Sequence, residues 1–420
     1  MPKINLKYGN SEIPFEFDEN QFEILGNTES NNLLSDVEIG KKLENPIDSK
    51  TFEEIIQPNE TVLIVVPDAT RKVACGQVVN LLVRRLIANG TMPFEINIIF
   101  ATGIHRKVTE AEQREILTPF IAQRIKTFNH NARDLVQFLR LGETSDGIPI
   151  ELNRKLNEYD HTIIIGGINF HYFAGFTGGR KLICPGLGSS RTISGTHKLA
   201  FDCETFNRRE GVGVGKLKSN PVHEAFINVV EKMPPTFAIN TIVNDKGELL
   251  DLFCGDWKTS HEKACKIYAE KHTIKIDEKR DLVIVSSGGF PHDLNMIQAH
   301  KALEMASHSC KDGGTIIFLA ECENGLGRND FLDWFAAKES RELAEKLCEK
   351  YQVNGQTAWS LLKKAEKFNI KILTDLPKEI CEKMRLDKVD DVEKGFAEIS
   401  KSKKGYILPS GAKFKIEKGG

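Results

Sequence analysis

Five short, nearly uninterrupted apolar runs constrain the fold of this chain more than any other feature: TVLIVVPD at 61–68, FEINIIFATG at 94–103, HTIIIGGIN at 161–169, DLVIVSSGG at 281–289 and GTIIFLAEC at 314–322. Runs of this length, rich in Val and Ile and closed by Gly, Asp or Asn, read as strands buried on both faces. That burial is expected of a parallel sheet covered by helices. Helix-compatible stretches lie between them. Val78, Leu81, Leu82 and Leu86 recur at helical spacing and stop at Asn89-Gly90, a second helix is expected around Ser35 to Leu43, and NMIQAHKALEMASHSC precedes the 314–322 run. Tyr8-Gly9-Asn10 marks a hairpin, and GYILPSGAKFKI forms a terminal alternating segment. The expected fold class is therefore α/β. A chain of 420 residues exceeds one ordinary core, and the charged stretch KHTIKIDEKR near 270–280 reads as a boundary. Two α/β domains are expected, over 1–272 and 273–420, with an active-site cleft between them.

Composition narrows the partners. Hydrophobic content of 40%, charged content of 28% and a mean hydropathy of -0.30 describe an ordinary globular chain. A net charge of -2 leaves no electrostatic footprint for nucleic acid or an anionic membrane, so neither is an expected partner and small molecules are. No apolar run approaches the roughly 20 residues that span a bilayer. MPKINLKYGNSEIPFEF alternates like a strand rather than a secretory signal, and the expected location is cytoplasmic. The 9 cysteines are scattered without a CxxC pair, which argues against a complete disulfide framework and suggests small buried hydrophobes.

Ligands of open α/β sheets bind beyond the carboxyl ends of strands, so the loops after the apolar runs are the places to look. After the first comes Asp68-Ala69-Thr70-Arg71-Lys72. Asp accepts hydrogen bonds from ribose hydroxyls and Arg offers a planar fork for carboxylate or phosphate, while an Asp/Thr helix cap with solvated bases is the plain alternative. After the second comes Thr102-Gly103-Ile104-His105-Arg106, ahead of the helix start Val108-Thr109-Glu110. His105 suits proton transfer near neutrality, although a lone loop histidine is more often simply an exposed polar side chain.

The third loop is the densest, running from Asn169 through His171, Gly175, Gly178, Gly179, Arg180 and Lys181 to Pro185-Gly186-Leu187-Gly188 and His197. Glycines let backbone N–H groups approach an anion and the two bases add charge, which suits a phosphate, although a structural glycine turn with exposed bases also fits. Neither the P-loop nor the GxGxxG spacing is present. His171 and His197 could bind nickel, zinc or copper, but with no HExxH or Cys/His cluster a metal needs ligands from elsewhere. Gly211-Val212-Gly213-Val214-Gly215 reads as a flexible loop. Gln298 and Lys301, three residues apart in the second domain, share a helix face that either points into the cleft or forms an ordinary amphipathic first turn.

Taken in order, PDATR, TGIHR, HYFAGFTGGRK, PG with a later TH, and QAHK resemble the nickel-pincer lactate racemase family, from about Asp68 to about Lys301. The resemblance implies a racemase or epimerase of a small 2-hydroxy acid acting by reversible hydride transfer. Its cofactor is a nickel-pincer nucleotide, pyridinium-3,5-bisthiocarboxylic acid mononucleotide with nickel. By that resemblance Lys181 carries the cofactor covalently, His197 ligates nickel, and Asp68, Gly178 and Gly179 contact the cofactor. His105 and His171 are the two catalytic histidines. Arg71, Gln298 and Lys301 bind substrate. The first domain then binds cofactor and catalyses while the second closes over substrate, and cofactor biosynthesis and loading enzymes are implied partners. One position departs from the family pattern: Ile297 precedes Gln298 where lactate-specific members carry an aromatic hydroxyl, which leaves malate-like, longer aliphatic and sugar acids open beside lactate. The alternatives are a non-catalytic carrier of the nucleotide, which has no use for both His105 and His171, and another nucleotide- or metal-dependent enzyme on the same scaffold.

Overall fold

A computed structural model of the chain describes residues 1–26, 32–396 and 403–419. It divides into two compact units: Glu29–Ala200 with Glu210–Glu270, and Met1–Thr28 with Phe201–Arg209 and Lys271–Gly420.

The first unit is built on a sheet whose strands are β1 (Val62–Pro67), β2 (Ile96–Ala101), β3 (Lys126–Asn129), β4 (His161–Gly167), β5 (Phe237–Val243) and β6 (Leu249–Gly255). Their order is β6-β5-β4-β1-β2-β3, parallel except for β6. Every residue of β1 is buried, as a strand covered on both faces requires. Helix Cys75–Ala88 buries Val78, Val79, Leu82 and Leu86 against one face and ends at Asn89, followed by Gly90 at φ +100°. The chain runs from β1 outward to β2 and β3, then returns to place β4 on the other side of β1. The strand order therefore reverses between β1 and β4, where open α/β sheets form their ligand crevice.

The second unit carries a six-stranded sheet in the order Asp387–Lys388, Asn369–Leu373, Cys310–Leu319, Arg280–Ser286, Gly405–Leu408, Phe22–Ile24, parallel throughout. The edge strand comes from the N-terminal segment, so the division differs from the expected 1–272 and 273–420. The later boundary at Lys271 falls beside the expected one, but the first residues belong to the other unit. The cause is burial. A two-stranded hairpin cannot bury its apolar face alone, and Leu6, Phe15, Phe17 and Phe22 pack on Leu282, Ile284, Ile317, Leu319 and Ile407. Phe201–Arg209 crosses over for similar reasons: Phe201 meets the Trp359 ring at 5.0 Å, and Arg208 donates to Glu304 at 2.8 Å.

In that same segment Cys203 is disulfide-bonded to Cys348, which corrects the expectation that the cysteines are mostly lone buried hydrophobes only for this pair. The other cysteines are free and buried. Among the described residues no helix is long and apolar enough to cross a membrane.

Candidate active site

The loops after β1, β2 and β4 leave one edge of the sheet from adjacent strands. Pro67 pairs with Ala101 in the β1–β2 register, so the residues that follow them face the same region. Asp68, buried, accepts on Oδ1 from the Thr70 N–H at 2.9 Å and the Thr70 hydroxyl at 2.5 Å. Its Oδ2 accepts from His105 Nδ1 at 2.7 Å. Burial works against the Asp68 charge, but the hydrogen bond from His105, the nearby Arg71 charge and the Thr70 hydroxyl outweigh it and hold the carboxyl well below the usual range. An ionised Asp68 fixes the His105 proton on Nδ1 and leaves the Nε2 lone pair as the proton acceptor. The His105 side chain is 43% exposed, so the acceptor end is reachable while the Asp68 end is held.

His171 sits in a short hairpin of Phe170–His171 with Gly175–Phe176, buried, with the Tyr172 ring stacked at 5.2 Å and the Phe173 ring edge-on at 4.4 Å. Its Nδ1 accepts from the Ala174 N–H at 3.3 Å and, more weakly, from the Phe173 N–H at 3.5 Å. Gly175 is required here: at φ +79°, a Cβ would lie 2.1 Å from the Lys216 carbonyl oxygen. Against the expectation of a flexible loop, the Gly211–Gly215 segment packs on this hairpin, with Val212, Gly213 and Val214 buried and the Gly215 N–H bonded to the Gly175 carbonyl at 3.0 Å.

Lys181 lies in the turn Gly179–Leu182, and His197 in the helix Ser190–Lys198, which Ser189 caps. The two share aromatic neighbours. The Lys181 Nζ is 5.8 Å from the Phe173 ring centre and 5.9 Å from that of Phe226, and the His197 ring is 5.1 Å and 5.5 Å from the same rings. Phe173 also touches His171, so one side chain links the three sequence-predicted residues. His197 is buried, and burial, with the Lys181 charge, pushes its imidazole down to about 3 despite the Ile193 carbonyl one turn back. It is therefore neutral, and its Nδ1 is buried without a hydrogen-bond partner of normal geometry.

Sequence reasoning treated Arg180 with Lys181 as charge for a phosphate. Arg180 is instead 1% exposed, donating to the Ala174 carbonyl at 2.7 Å and to His261 Nε2 at 3.0 Å. Gly178 and Gly179 have φ of +73° and +49°, and a Cβ on Gly179 would fall 2.4 Å from the His261 ring. Both glycines let the turn pack tightly on the protein's own residues.

In the other unit, Gln298 and Lys301 lie on helix Met296–Ala306, capped by Asn295, and the Lys301 Nζ donates to Gln298 Oε1 at 2.5 Å. The expected shared face is thus observed. Sequence reasoning missed the Asp68–His105 pair and the buried Arg180–His261 contact. The first was within reach once β1 and β2 were placed side by side, since both residues close those strands.

Fold and site together define an α/β protein in which a carboxylate-held histidine follows the mainly parallel sheet's second strand, while a lysine and a buried neutral histidine share aromatic neighbours in the same unit. Residues 8–207 match the family model of the lactate racemase N-terminal domain, and residues 276–409 that of the lactate racemase C-terminal domain. The chain is 30% identical over 346 residues to lactate racemase of Thermoanaerobacterium thermosaccharolyticum, covering 81% of this chain and 79% of that one. It is 29% identical over 335 residues to lactate racemase of Lactiplantibacillus plantarum, covering 79% and 77%. The chain belongs to the lactate racemase family. Its fold matches the lactate racemase apoprotein of T. thermosaccharolyticum with a TM-score of 0.89 at 25% identity, over 99% of this chain and 100% of that one. A Thermotoga maritima protein, at 20% identity and a TM-score of 0.71 over 93% and 100%, shares the fold alone.

Proposed function

We propose that this protein racemises or epimerises lactate or a related small 2-hydroxy acid, using a nickel-pincer nucleotide carried on Lys181 with His197 as a nickel ligand. The observation that carries the reading is the Asp68–His105 pair beyond the ends of β1 and β2, in the unit that also holds Lys181 and His197. A carrier of the nucleotide has no use for such a pair.

The residues present fit the cofactor. A neutral imidazole with an unpartnered buried Nδ1 is a ready nitrogen ligand for nickel. Among the described residues no group of His, Cys, Asp or Glu side chains gathers to hold a metal, so donors from outside the chain complete the set, as a sulfur-bearing nucleotide does. When bound, that group would supply a reversible hydride acceptor for the substrate carbon.

The rest of the chemistry belongs to side chains. Removing the hydrogen beside an ionised carboxylate as a proton creates a second negative charge. Removing it as hydride while the hydroxyl loses its proton gives an uncharged keto group instead. His105 Nε2 accepts the hydroxyl proton, and Asp68 stabilises the imidazolium that forms. His171 serves the opposite face, so the two histidines attend to the hydroxyl of opposite configurations of the carbon. Arg71 and Lys301 are assigned to the substrate carboxylate and Gln298 to a further substrate contact, and cofactor biosynthesis and loading enzymes are the implied partners. The test is incubation of cofactor-loaded protein with a single lactate enantiomer, followed by chiral chromatography. Conversion to equal amounts of both enantiomers is expected, and an enantiomer returned intact, with a panel of other chiral 2-hydroxy acids also unchanged, rejects the reading.

A further inference from the structure

The two histidines assigned to proton transfer are held with opposite hydrogen-bond polarity. At His105 the partner of Nδ1 is a carboxylate, which accepts, so Nδ1 carries the proton. At His171 the partners of Nδ1 are backbone N–H groups, which donate, so Nδ1 is bare and a neutral ring carries its proton on Nε2.

What sets the polarity at His171 is one peptide unit. The Ala174 N–H that points at Nδ1 belongs to the same peptide plane as the Phe173 carbonyl, and that carbonyl accepts from Asn220 Nδ2 at 2.8 Å. Asn220 is itself fully buried and fully engaged. Its Nδ2 also donates to the Lys216 carbonyl at 3.0 Å, and its Oδ1 caps the helix Pro221–Val230 by accepting from Val222 and His223. The next carbonyl along, that of Ala174, is taken by Arg180. Turning the Phe173–Ala174 peptide over would strand the Asn220 amide donor in a buried place, where an unmet donor is costly.

We propose that Asn220 is a positioning residue that fixes His171 as the Nε2–H tautomer, opposite in polarity to His105. The consequence for turnover rests on the racemase reading, whereas the tautomers do not. A second proton on His171 would sit at Nδ1, directly against the Ala174 N–H. Each conversion, in either direction, takes up a proton at one histidine and releases one from the other, so both directions need a proton on His171 Nδ1 and require the Phe173–Ala174 peptide to turn.

The direct test is a long-range proton–nitrogen NMR spectrum of the full chain labelled with 15N-histidine, in wild type and in Asn220→Asp. That substitution keeps the helix-capping oxygen and removes the donor to Phe173. Wild type is expected to show His105 protonated on Nδ1 and His171 on Nε2. In Asn220→Asp the His171 pattern shifts toward a mixture while that of His105 stays. A wild-type His171 protonated on Nδ1, or a His171 pattern unchanged in the folded variant, overturns the proposal. Should Asn220→Asp not fold, Asn220→Ser decides in its place by the same criterion. Absence of all racemisation beside the expected tautomers would count against the racemase reading and leave the positioning role standing.

Discussion

Asp68→Asn exchanges one carboxylate oxygen for an amide and leaves the shape of the site intact, because the remaining oxygen still accepts from the Thr70 N–H and hydroxyl. What it removes is the negative charge that His105 Nδ1 meets at 2.7 Å. That charge matters most when the substrate hydroxyl proton reaches His105 Nε2 and the ring becomes an imidazolium. A hydrogen bond to a charged group is worth about 1.5–3 kcal/mol. At about 1.4 kcal/mol per factor of ten, turnover is expected to fall between about tenfold and about 100-fold. The burial of Asp68 keeps solvent from making up the loss and places the effect toward the upper end. The assay is the initial rate of interconversion of each lactate enantiomer by loaded protein, with nickel content measured on the same sample. Nickel is expected to stay constant. A variant that retains its rate to within about twofold at equal nickel refutes the role given to the pair, since even the weaker end of the charge-assisted range exceeds that.

His105→Ala and His171→Ala are each expected to abolish racemisation with nickel nearly unchanged, whereas His197→Ala depletes nickel; the reverse pattern in parallel metal analysis and activity assays contradicts these roles. Arg71→Ala and Lys301→Ala are expected to lose turnover efficiency at constant nickel, and uncharged amides of the acids are expected not to react. Equal turnover of acids and amides removes the carboxylate anchors. The apoprotein is expected to lose stability on mild acidification, because burial pushes His130 down to about 4 and His197, His223 and His300 to about 3. The unfolded chain then takes up protons first as pH falls below about 6.5, costing at most about 1.4 kcal/mol per pH unit for each histidine. A urea midpoint that stays flat from about pH 7 to about pH 5 contradicts this.

The strands that place the site were legible because Val- and Ile-rich runs closed by glycine or aspartate have few other ways to be buried. The helix Cys75–Ala88 was legible from its spacing and its Asn89-Gly90 stop. The N-terminal hairpin shows what such patterns omit: one apolar face on Lys3–Tyr8 and Ser11–Glu16 says that something must cover it, not which sheet does. Arg180 is similar. A base beside two glycines looks the same in sequence whether it meets a phosphate or the Ala174 carbonyl. His105 was recognised as a base, yet its dependence on Asp68 comes from the register of two strands, which no local spacing encodes. The disulfide joins residues 145 apart in sequence, brought together by packing of the Phe201–Arg209 segment on its own unit.

The claim on which the rest depends is that Lys181 and His197 hold the group that takes up hydride. Intact-mass and peptide analysis, with nickel quantified on the same sample, tests it most directly in protein produced together with the cofactor-assembly and loading enzymes. The expected result is an adduct confined to the peptide containing Lys181, with nickel that tracks the adduct and is lost in His197→Ala. An active, nickel-loaded protein whose Lys181 peptide is unmodified, or whose nickel is indifferent to His197, contradicts it.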